Sequence, residues 1–370
     1  MARFHQKNGI LSSPVTRVYS THIDHIFMFT LKKEGVLLDK TDFEFENEGV
    51  LNPAVIQEGD TVHVFYRAVR KGNHSTIGYC KLNGPLEVLQ RNETPLLAPH
   101  LEYESQGIED PRIVKIDDLY YMSFTAYDGV NAMGCLATSA DLVNFDRQGI
   151  IVPQFTYEDF HRMAECNLHL NEKYKRLHLQ NNVDSRNRKK ILLSDKNVVF
   201  FPRKINGRFF FFHRIKPDIQ IASVENIGGL TKAYWQDYLM QFDQHILITP
   251  KYEHEISYVG GGCPPIETEA GWLVIYHGVR DSVEGYVYCA CTSLLDLNDP
   301  TIELARLPYP LFQPDVSWEL KGEVNSVVFP TGTALFDDKL YIYYGAADTR
   351  IAVASVSLTE LITELLNHQI

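Results

Sequence analysis

One phrase recurs five times along the chain and limits the fold more than any other feature. It consists of a proline, an aliphatic stretch, a polar turn, and a strand rich in aromatic residues that closes on a polar or glycine-containing pair. The phrase runs from Asn52-Pro53 to Tyr66-Arg67, Asp110-Pro111 to Thr125-Ala126, Phe201-Pro202 to His213-Arg214, Pro264-Pro265 to His277-Gly278, and Phe329-Pro330 to Tyr344-Gly345. The anchor prolines 53, 111, 202, 265 and 330 are 58, 91, 63 and 65 residues apart, a period that fits propeller blades carrying loop insertions. The polar turns (Glu58-Gly59-Asp60, Asp117-Asp118, Asn206-Gly207, Glu269-Ala270-Gly271 and Asp337-Asp338) join two apolar runs as hairpins do. Further strands at 76–80, 134–138, 286–292 and 350–355 fill out the blades. The expected fold is therefore all-β: a five-bladed β-propeller whose funnel is lined by equivalent positions of every blade, with one short C-terminal helix.

The repeats favour a single domain over residues 1–370. Residues 1–45 read as an N-terminal arm that packs across the propeller or closes it with an added strand. Residues 154–195 break the repeat spacing with a basic stretch that includes Lys173, Lys175, Arg176, Arg186, Arg188, Lys189 and Lys190, and this reads as an exposed insertion with solvated charges. Ser357 and Glu360 form a capping box. Leu358, Leu361, Ile362, Leu365 and Leu366 then follow at helical spacing, predicting a helix over 357–368 that packs on the propeller.

Composition narrows the partners. The 370 residues carry a net charge of −12 with no dominant basic stripe, which argues against nucleic acid. The first residues lack the apolar core of a secretory signal, and no apolar run approaches a membrane span, so a cytoplasmic protein is expected with no membrane partner. Of six cysteines, Cys80, Cys135, Cys289 and Cys291 lie in strand-like apolar runs and read as buried free thiols. Cys289 and Cys291 share one strand face without a histidine pair at metal spacing, so no metal site is expected.

Asn52 and Asp110 precede the first two anchors and take equivalent places in successive blades. In the run Glu109-Asp110-Pro111-Arg112 a second carboxylate and a guanidinium flank Asp110, a setting that moves proton affinity in either direction; an aspartate capping a turn before proline is the alternative reading. Arg67, Lys196, His213, Arg214, His277 and Asp348 collect at strand ends. Lys196, Arg214 and His277 together suit phosphate, since guanidinium engages oxyanions bidentately and lysine adds a point charge. Tyr103 and Tyr258, with Tyr66, Tyr127, Tyr276 and Tyr344, offer ring faces and hydroxyls to a sugar, although most of the 20 tyrosines will be packing residues. The run Gly260-Gly261-Gly262 lacks the Lys-Ser/Thr of a phosphate loop and reads as a place of close backbone approach.

Four segments in the same order resemble glycoside hydrolase family 130: GIEDPR at 107–112, KNVVFFPRKINGRFFFFHR at 196–214, GGGCPPIETEAGWLVIYHGV at 260–279 and NSVVFPTGTALFDDKLYIYYGAAD at 325–348. That family comprises five-bladed propellers, among them β-mannoside phosphorylases and some β-mannosidases. The resemblance implies that Asp110 is the general acid, passing its proton through the 3-hydroxyl of the mannose being cleaved. It also implies that Asn52, Arg67 and Asp348 hold that mannose, and that Lys196, Arg214 and His277 bind phosphate. Inverting phosphorolysis of a β-linked manno-oligosaccharide to α-mannose 1-phosphate follows, with inorganic phosphate as co-substrate and no cofactor. Family members also allow a homo-oligomer.

Two positions depart from the pattern: Met133 stands where an arginine is common, and Tyr258 where a lysine is. Hydrolysis is the alternative. It requires a carboxylate base with room for water, for which Glu253 and Glu255 are candidates and Glu165 a weaker one. A non-catalytic carbohydrate-binding propeller is the third reading.

Overall fold

The computed structural model describes residues 29–165, 170–177 and 190–370. Its strands form five consecutive, mostly four-stranded antiparallel units. Strand β1 (Lys32–Leu38) belongs to the last of them. Unit one holds β2 (Gly49–Glu58), β3 (Thr61–Arg70), β4 (His74–Asn83) and β5 (Glu87–Arg91). Unit two holds β6 (Gly107–Ile116), β7 (Leu119–Tyr127), β8 (Ala132–Ser139) and β9 (Asp146–Ile150), and one parallel bridge, Ser75 to Gly107, ties it to unit one. Unit three is β10 (Lys196–Phe200), β11 (Phe209–Arg214), β12 (Ile219–Val224) and β13 (Ile246–Ile248). In unit four, β14 (Tyr258–Gly261) and β15 (Ile266–Thr268) both pair with β16 (Gly271–Ser282), followed by β17 (Gly285–Leu295) and β18 (Glu303–Arg306). Unit five is β19 (Val328–Phe336), β20 (Lys339–Ala346) and β21 (Arg350–Ser357), and β1 pairs antiparallel with β21 as its fourth strand. The described part of the N-terminal arm thus adds a strand, one of the two arrangements open from the sequence; residues 1–28 lie outside the described residues.

Five apolar clusters hold the units face to face. Phe65 and Ile77 of unit one meet Ile113 and Met122 of unit two. Val114 and Met133 meet Phe200 and Phe211 between units two and three, and Val199 and Phe212 meet Trp272 and Val274 between three and four. Leu273 and Ile275 meet Leu340 and Ile342 between four and five, and Val64 and Tyr66 meet Tyr343 and Val353 between one and five. Aliphatic and aromatic residues on both strand faces supply these contacts, as sheets covered on both sides require.

A second repeat, not apparent in the sequence, fixes the strand ends. Just before the first strand of four units, one helical turn carries a fully buried glutamate: Glu46, Glu104, Glu255 and Glu319. Each is bridged by a cation from the fourth strand of its own unit, namely Arg91 (2.9 Å), Arg147 (2.8 Å), Arg306 (3.0 Å) and Lys33 (2.6 Å). In three of them a second-strand tyrosine donates to the same carboxylate: Tyr66 at 2.8 Å, Tyr276 at 2.8 Å and Tyr344 at 2.7 Å. Unit three substitutes Asp195, whose carboxylate accepts from His213 Nδ1 at 2.8 Å. Each of these five buried carboxylates therefore has a partner and hydrogen bonds, the condition for tolerating it.

The insertion is not simply a solvated loop. A helix at Tyr157–Ala164 and a turn at Glu172–Lys175 bury Phe160, Ala164 and Tyr174 in the cluster between units two and three. Tyr174 donates to Asp218 at 2.7 Å, and the exposed Lys173 donates to the Ile256 and Ser257 carbonyls. Aromatic side chains scattered among the basic residues pay for this docking, and the charge pattern hid them. Arg186, Arg188 and Lys189 lie outside the described residues.

The C-terminal helix spans Leu358–Leu366, capped by Ser357, and buries Leu361 and Leu365; Leu366 faces solvent. A further helix, Lys232–Met240, was not signalled by the repeats and packs Trp235, Tyr238 and Leu239 against unit three. Cys80, Cys135, Cys263, Cys289 and Cys291 are buried free thiols, and Cys166 lies outside the described residues. No helix among the described residues is long and apolar enough to cross a membrane.

Candidate active site

Each unit pairs one residue near the start of its first strand with one near the end of its second: Leu51 with Arg67, Glu109 with Thr125, Lys196 with Arg214, Gly260 with His277, and Phe329 with Gly345. In units one to three the register breaks immediately after this pair, and the next residue adopts a left-handed backbone: Asn52 (φ 50°), Asp110 (φ 50°) and Asn197 (φ 57°). Asparagine and aspartate are the non-glycine residues that best tolerate this conformation, and the bulge re-aims their side chains. Pro202 and Pro265 are not at equivalent places. Pro202 follows β10, and Pro265 stands between β14 and β15. The repeat read from prolines is therefore out of register in units three and four, and the closing pairs of units two and four are one residue too far along.

The re-aimed side chains meet in a hollow of about 180 Å³. On one side, Asn52 Nδ2 donates to Asp110 Oδ1 at 2.7 Å, and Arg67 Nη1 approaches the same oxygen at 3.7 Å. Arg67 is fixed by Glu109 at 2.9 Å and Ser75 at 2.9 Å. Asp348, in the turn between β20 and β21, completes this side. Burial pushes the Asp110 carboxyl up, but the charges of Arg67 and Lys196, the Asn52 hydrogen bond and Arg112 outweigh it and hold the group below the usual carboxylate range. Asp348 moves the opposite way: burial and the Asp110 charge push it up to about 6, against the pull of Arg67 and Lys196. Two carboxyls in one site thus have separated proton affinities, an arrangement suited to acid–base work.

The other side is cationic. Lys196, Arg214 and Lys216 line the hollow, with Tyr258, Tyr288 and Phe329 as its aromatic wall. Burial lowers the Arg214 proton affinity, only partly offset by Tyr258, Tyr288 and Asp110. His277 lies behind this surface. It is fully buried and its Nε2 accepts from Arg214 Nη1 at 3.2 Å, so the proton of the neutral ring is on Nδ1. Burial and the surrounding Arg214, Arg112, Lys216 and Lys196 charges hold the imidazole well below its usual range. His277 is therefore a neutral support for Arg214 and not a cation of the hollow, which corrects the expectation that it contacts phosphate directly.

The glycine run makes room for this packing. A Cβ on Gly260 would lie 2.5 Å from the His277 ring and 2.7 Å from Arg214 Nη1, and one on Gly262 would lie 2.5 Å from the Ile275 carbonyl. Arg112 is buried and donates to the Gly262, Asp110 and Pro111 carbonyls, locking the bulge of unit two to unit four.

Other expected site residues fall elsewhere. Tyr103 packs partly buried against the cluster between units one and two and does not line the hollow. Glu255 is one of the four structural glutamates: Oε1 accepts from the Lys251 and Tyr252 amides and Arg306, and Oε2 from Tyr276. Both oxygens are held in fully buried contacts, which keeps the group from activating water in the hollow, and the same engagement argues against a metal centre where Glu255, His254 and Cys291 converge. Glu253 is exposed at the start of that turn, and Glu165, exposed at the end of the insertion helix, sits 3.2 Å from His161. His213 is buried between Asp195 and Tyr238. Met133 is part of the apolar cluster between units two and three.

Sequence reasoning missed Asn197, Lys216, Tyr288 and Phe329. Asn197 carried a signal, since it follows Lys196 as Asn52 follows Leu51, but its bulge lacks the proline that marked the other two. Both polar atoms of its buried side chain lack a protein partner, as do Asn52 Oδ1 and Arg214 Nε. Buried polar groups rarely go unpaired, and here they converge on one hollow, the pattern of a site built for a polar ligand. A second hollow of about 350 Å³ shares Arg67 and Asp348 with the first and continues past Asn73 and Glu323.

Comparison with known proteins agrees with this geometry. The family model described as beta-1,4-mannooligosaccharide phosphorylase matches residues 36–367. The 1,2-beta-oligomannan phosphorylase of Thermoanaerobacter sp. (strain X514) is 32% identical over 341 residues, covering 90% of this chain and 97% of the relative. The beta-1,2-mannobiose phosphorylase of the same strain is 33% identical over 343 residues, covering 88% and 96%. The structure of a beta-1,2-mannobiose phosphorylase from Listeria innocua in complex with beta-1,2-mannobiose superposes with a TM-score of 0.68 at 24% identity, over 91% of this chain and 99% of that one, and so shares the fold. With a family match over most of its length, and its bulges delivering an aspartate, two asparagines and a cationic wall to one hollow, the chain belongs to glycoside hydrolase family 130.

Proposed function

We propose that this chain is an inverting β-mannoside phosphorylase that converts short β-linked manno-oligosaccharides and inorganic phosphate to α-mannose 1-phosphate. The observation that carries the reading is the division of one hollow into a carboxylate side (Asn52, Asp110, Arg67, Asp348) and a cationic side (Lys196, Arg214). Mannose bridges the two. Asn52, Arg67 and Asp348 hold its hydroxyls, and phosphate docks on Lys196 and Arg214 to attack the anomeric carbon from the face opposite the leaving group. The continuing hollow past Asn73 and Glu323 receives the leaving sugar. The relatives that align over about 90% of the chain are named for 1,2-linked substrates, which makes β-1,2-mannosides the first choice.

Asp110 is ionised before phosphate binds because Arg67 and Lys196 hold its proton affinity down. Phosphate on Lys196 cancels part of that pull and brings negative charge closer, so Asp110 takes up a proton as the nucleophile binds. It then acts as general acid, through the 3-hydroxyl of the bound mannose, while phosphate needs no base because it is already anionic. Hydrolysis is the weaker reading, because Glu255 is fully engaged and Glu253 and Glu165 are exposed away from the hollow lining.

The five units and five inter-unit clusters, one of them joining unit five to unit one, support a single domain folded as a closed five-bladed β-propeller, with β1 as the closing strand. The test of function is incubation with β-1,2- and β-1,4-linked mannosides, with and without phosphate, resolving mannose from α-mannose 1-phosphate. Phosphate-dependent sugar phosphate is the expected product; free mannose formed at equal rate without phosphate would overturn the reading.

A further inference from the structure

Lys216 follows Arg214 by two residues, just beyond the end of β11, and contributes to the cationic side of the hollow. It is solvent-exposed, yet its ammonium rests 3.8 Å from the centre of the Tyr258 ring, and the Arg214 guanidinium lies 5.4 Å from the same ring. Tyr258 is itself held in place by a 2.5 Å hydrogen bond between its hydroxyl and that of Tyr288. The Tyr258 ring thus supports a lysine delivered from the adjacent unit.

Among the described residues, no carboxylate comes within ion-pair distance of Lys196, Arg214 or Lys216. The charged groups around Lys216 are Arg214 and Lys196 on its own side, with Asp110, Asp348 and Arg67 across the hollow; Tyr258 and Tyr288 are held neutral by burial. Three cations gathered without a paired anion are costly unless an anionic ligand joins them.

We infer that Lys216 is a third cationic ligand of the phosphate nucleophile, held on the face of Tyr258 and directed at the same anion as Lys196 and Arg214. The inference rests on the phosphorylase reading above. The ring face holds the ammonium in a partly desolvated position, and a flexible point charge adjusts to an incoming oxyanion. One consequence is pH dependence. Desolvation, then Arg214 and Lys196, push the Lys216 amine down to about 7. Below that pH it is charged and contributes to phosphate binding; above it the contribution fades, and bound phosphate recovers it by drawing a proton from solution.

Isothermal titration with inorganic phosphate at pH 6 and pH 8.5 tests this on the full chain, for the unsubstituted protein, Lys216→Gln and Lys216→Arg. Lys216→Gln is expected to raise the phosphate Kd at pH 6 about tenfold, the effect of losing one charged hydrogen bond. Phosphate's own titration and the proton uptake by Asp110 are common to all three proteins, so the signal is a difference: between pH 6 and pH 8.5 the unsubstituted protein should lose more affinity, and at pH 8.5 should take up more protons on binding, than Lys216→Arg, because arginine keeps its charge. If the unsubstituted protein binds phosphate and Lys216→Gln binds it equally at both pH values, the inference is overturned and the phosphorylase reading stands. If the unsubstituted protein binds no phosphate, both fall together.

Discussion

Asn52 donates its side-chain amide to Asp110 at 2.7 Å from the same left-handed position of the neighbouring unit, so two copies of one bulge face each other across the hollow. The contact favours the ionised carboxylate and helps keep the Asp110 proton affinity low. Asn52→Gly retains the backbone conformation, which glycine adopts without strain, and deletes only the amide. The Asp110 proton affinity then rises, and the basic limb of the kcat profile moves to higher pH. Asp110→Asn should instead lower kcat by about 10²- to 10⁴-fold while the protein still binds manno-oligosaccharide. A profile unmoved by Asn52→Gly would show that the amide does not tune the acid.

The structural glutamates make a contrasting prediction. Glu255→Gln removes one of the two carboxylates around buried Arg306, which keeps Glu303 at 2.7 Å, so the loss should be about 1–3 kcal/mol, that of charged hydrogen bonds. Denaturant unfolding should show that loss, with the remaining folded enzyme retaining its turnover. Glu253→Gln, at an exposed position, should change neither stability nor rate. Loss of turnover in a fully stable Glu255→Gln protein would return Glu255 to the catalytic machinery.

Asp348 links the site to stability with a definite sign. Its carboxyl is pushed up to about 6, so the folded state binds a proton that the unfolded chain releases near the ordinary aspartate value. Stability attributable to this group is greatest at low pH and declines as pH rises from about 4 through about 6, by about 2–3 kcal/mol. Asp348→Asn removes that decline, so the variant should be more stable than its parent at pH 7.5 and should bind mannoside more weakly. Thermal melts at pH 5 and 7.5 provide the check: an unchanged difference between the two pH values would show that Asp348 carries no such cost.

Much of this arrangement was legible because aromatic strands and polar turns leave a periodic trace, and because Asn52 and Asp110 stand before prolines. What was not legible has a common physical origin. A bulge requires a residue that tolerates positive φ and does not require proline, so Asn197 passed unnoticed while Pro202 drew attention to the wrong turn. Glu255 resembled a free base because sequence does not show that Tyr276 and Arg306, 21 and 51 residues away, each engage one of its oxygens in a buried site. His277 resembled a cation because burial, which makes it neutral, is a property of the packed units. Lys216 was overlooked because its role depends on a tyrosine from another unit.

Gly260 separates the two ways in which the cationic side could fail. A methyl group there would enter the space of the His277 ring at 2.5 Å and of Arg214 Nη1 at 2.7 Å, both buried groups with little room to retreat. Gly260→Ala should therefore cost about 1–3 kcal/mol of stability from overpacking and displace Arg214 from the hollow. Because Asn52, Arg67 and Asp348 are on the opposite side, the phosphate KM should rise at least tenfold with a much smaller change in the mannoside KM. His277→Ala vacates the ring's space, so the double variant Gly260→Ala/His277→Ala should be less destabilised than the sum of the two single changes, the signature of groups competing for one volume. Strict additivity in unfolding free energy, with both KM values raised equally, would mean that Gly260 serves the strand alone and that His277 does not set the position of Arg214.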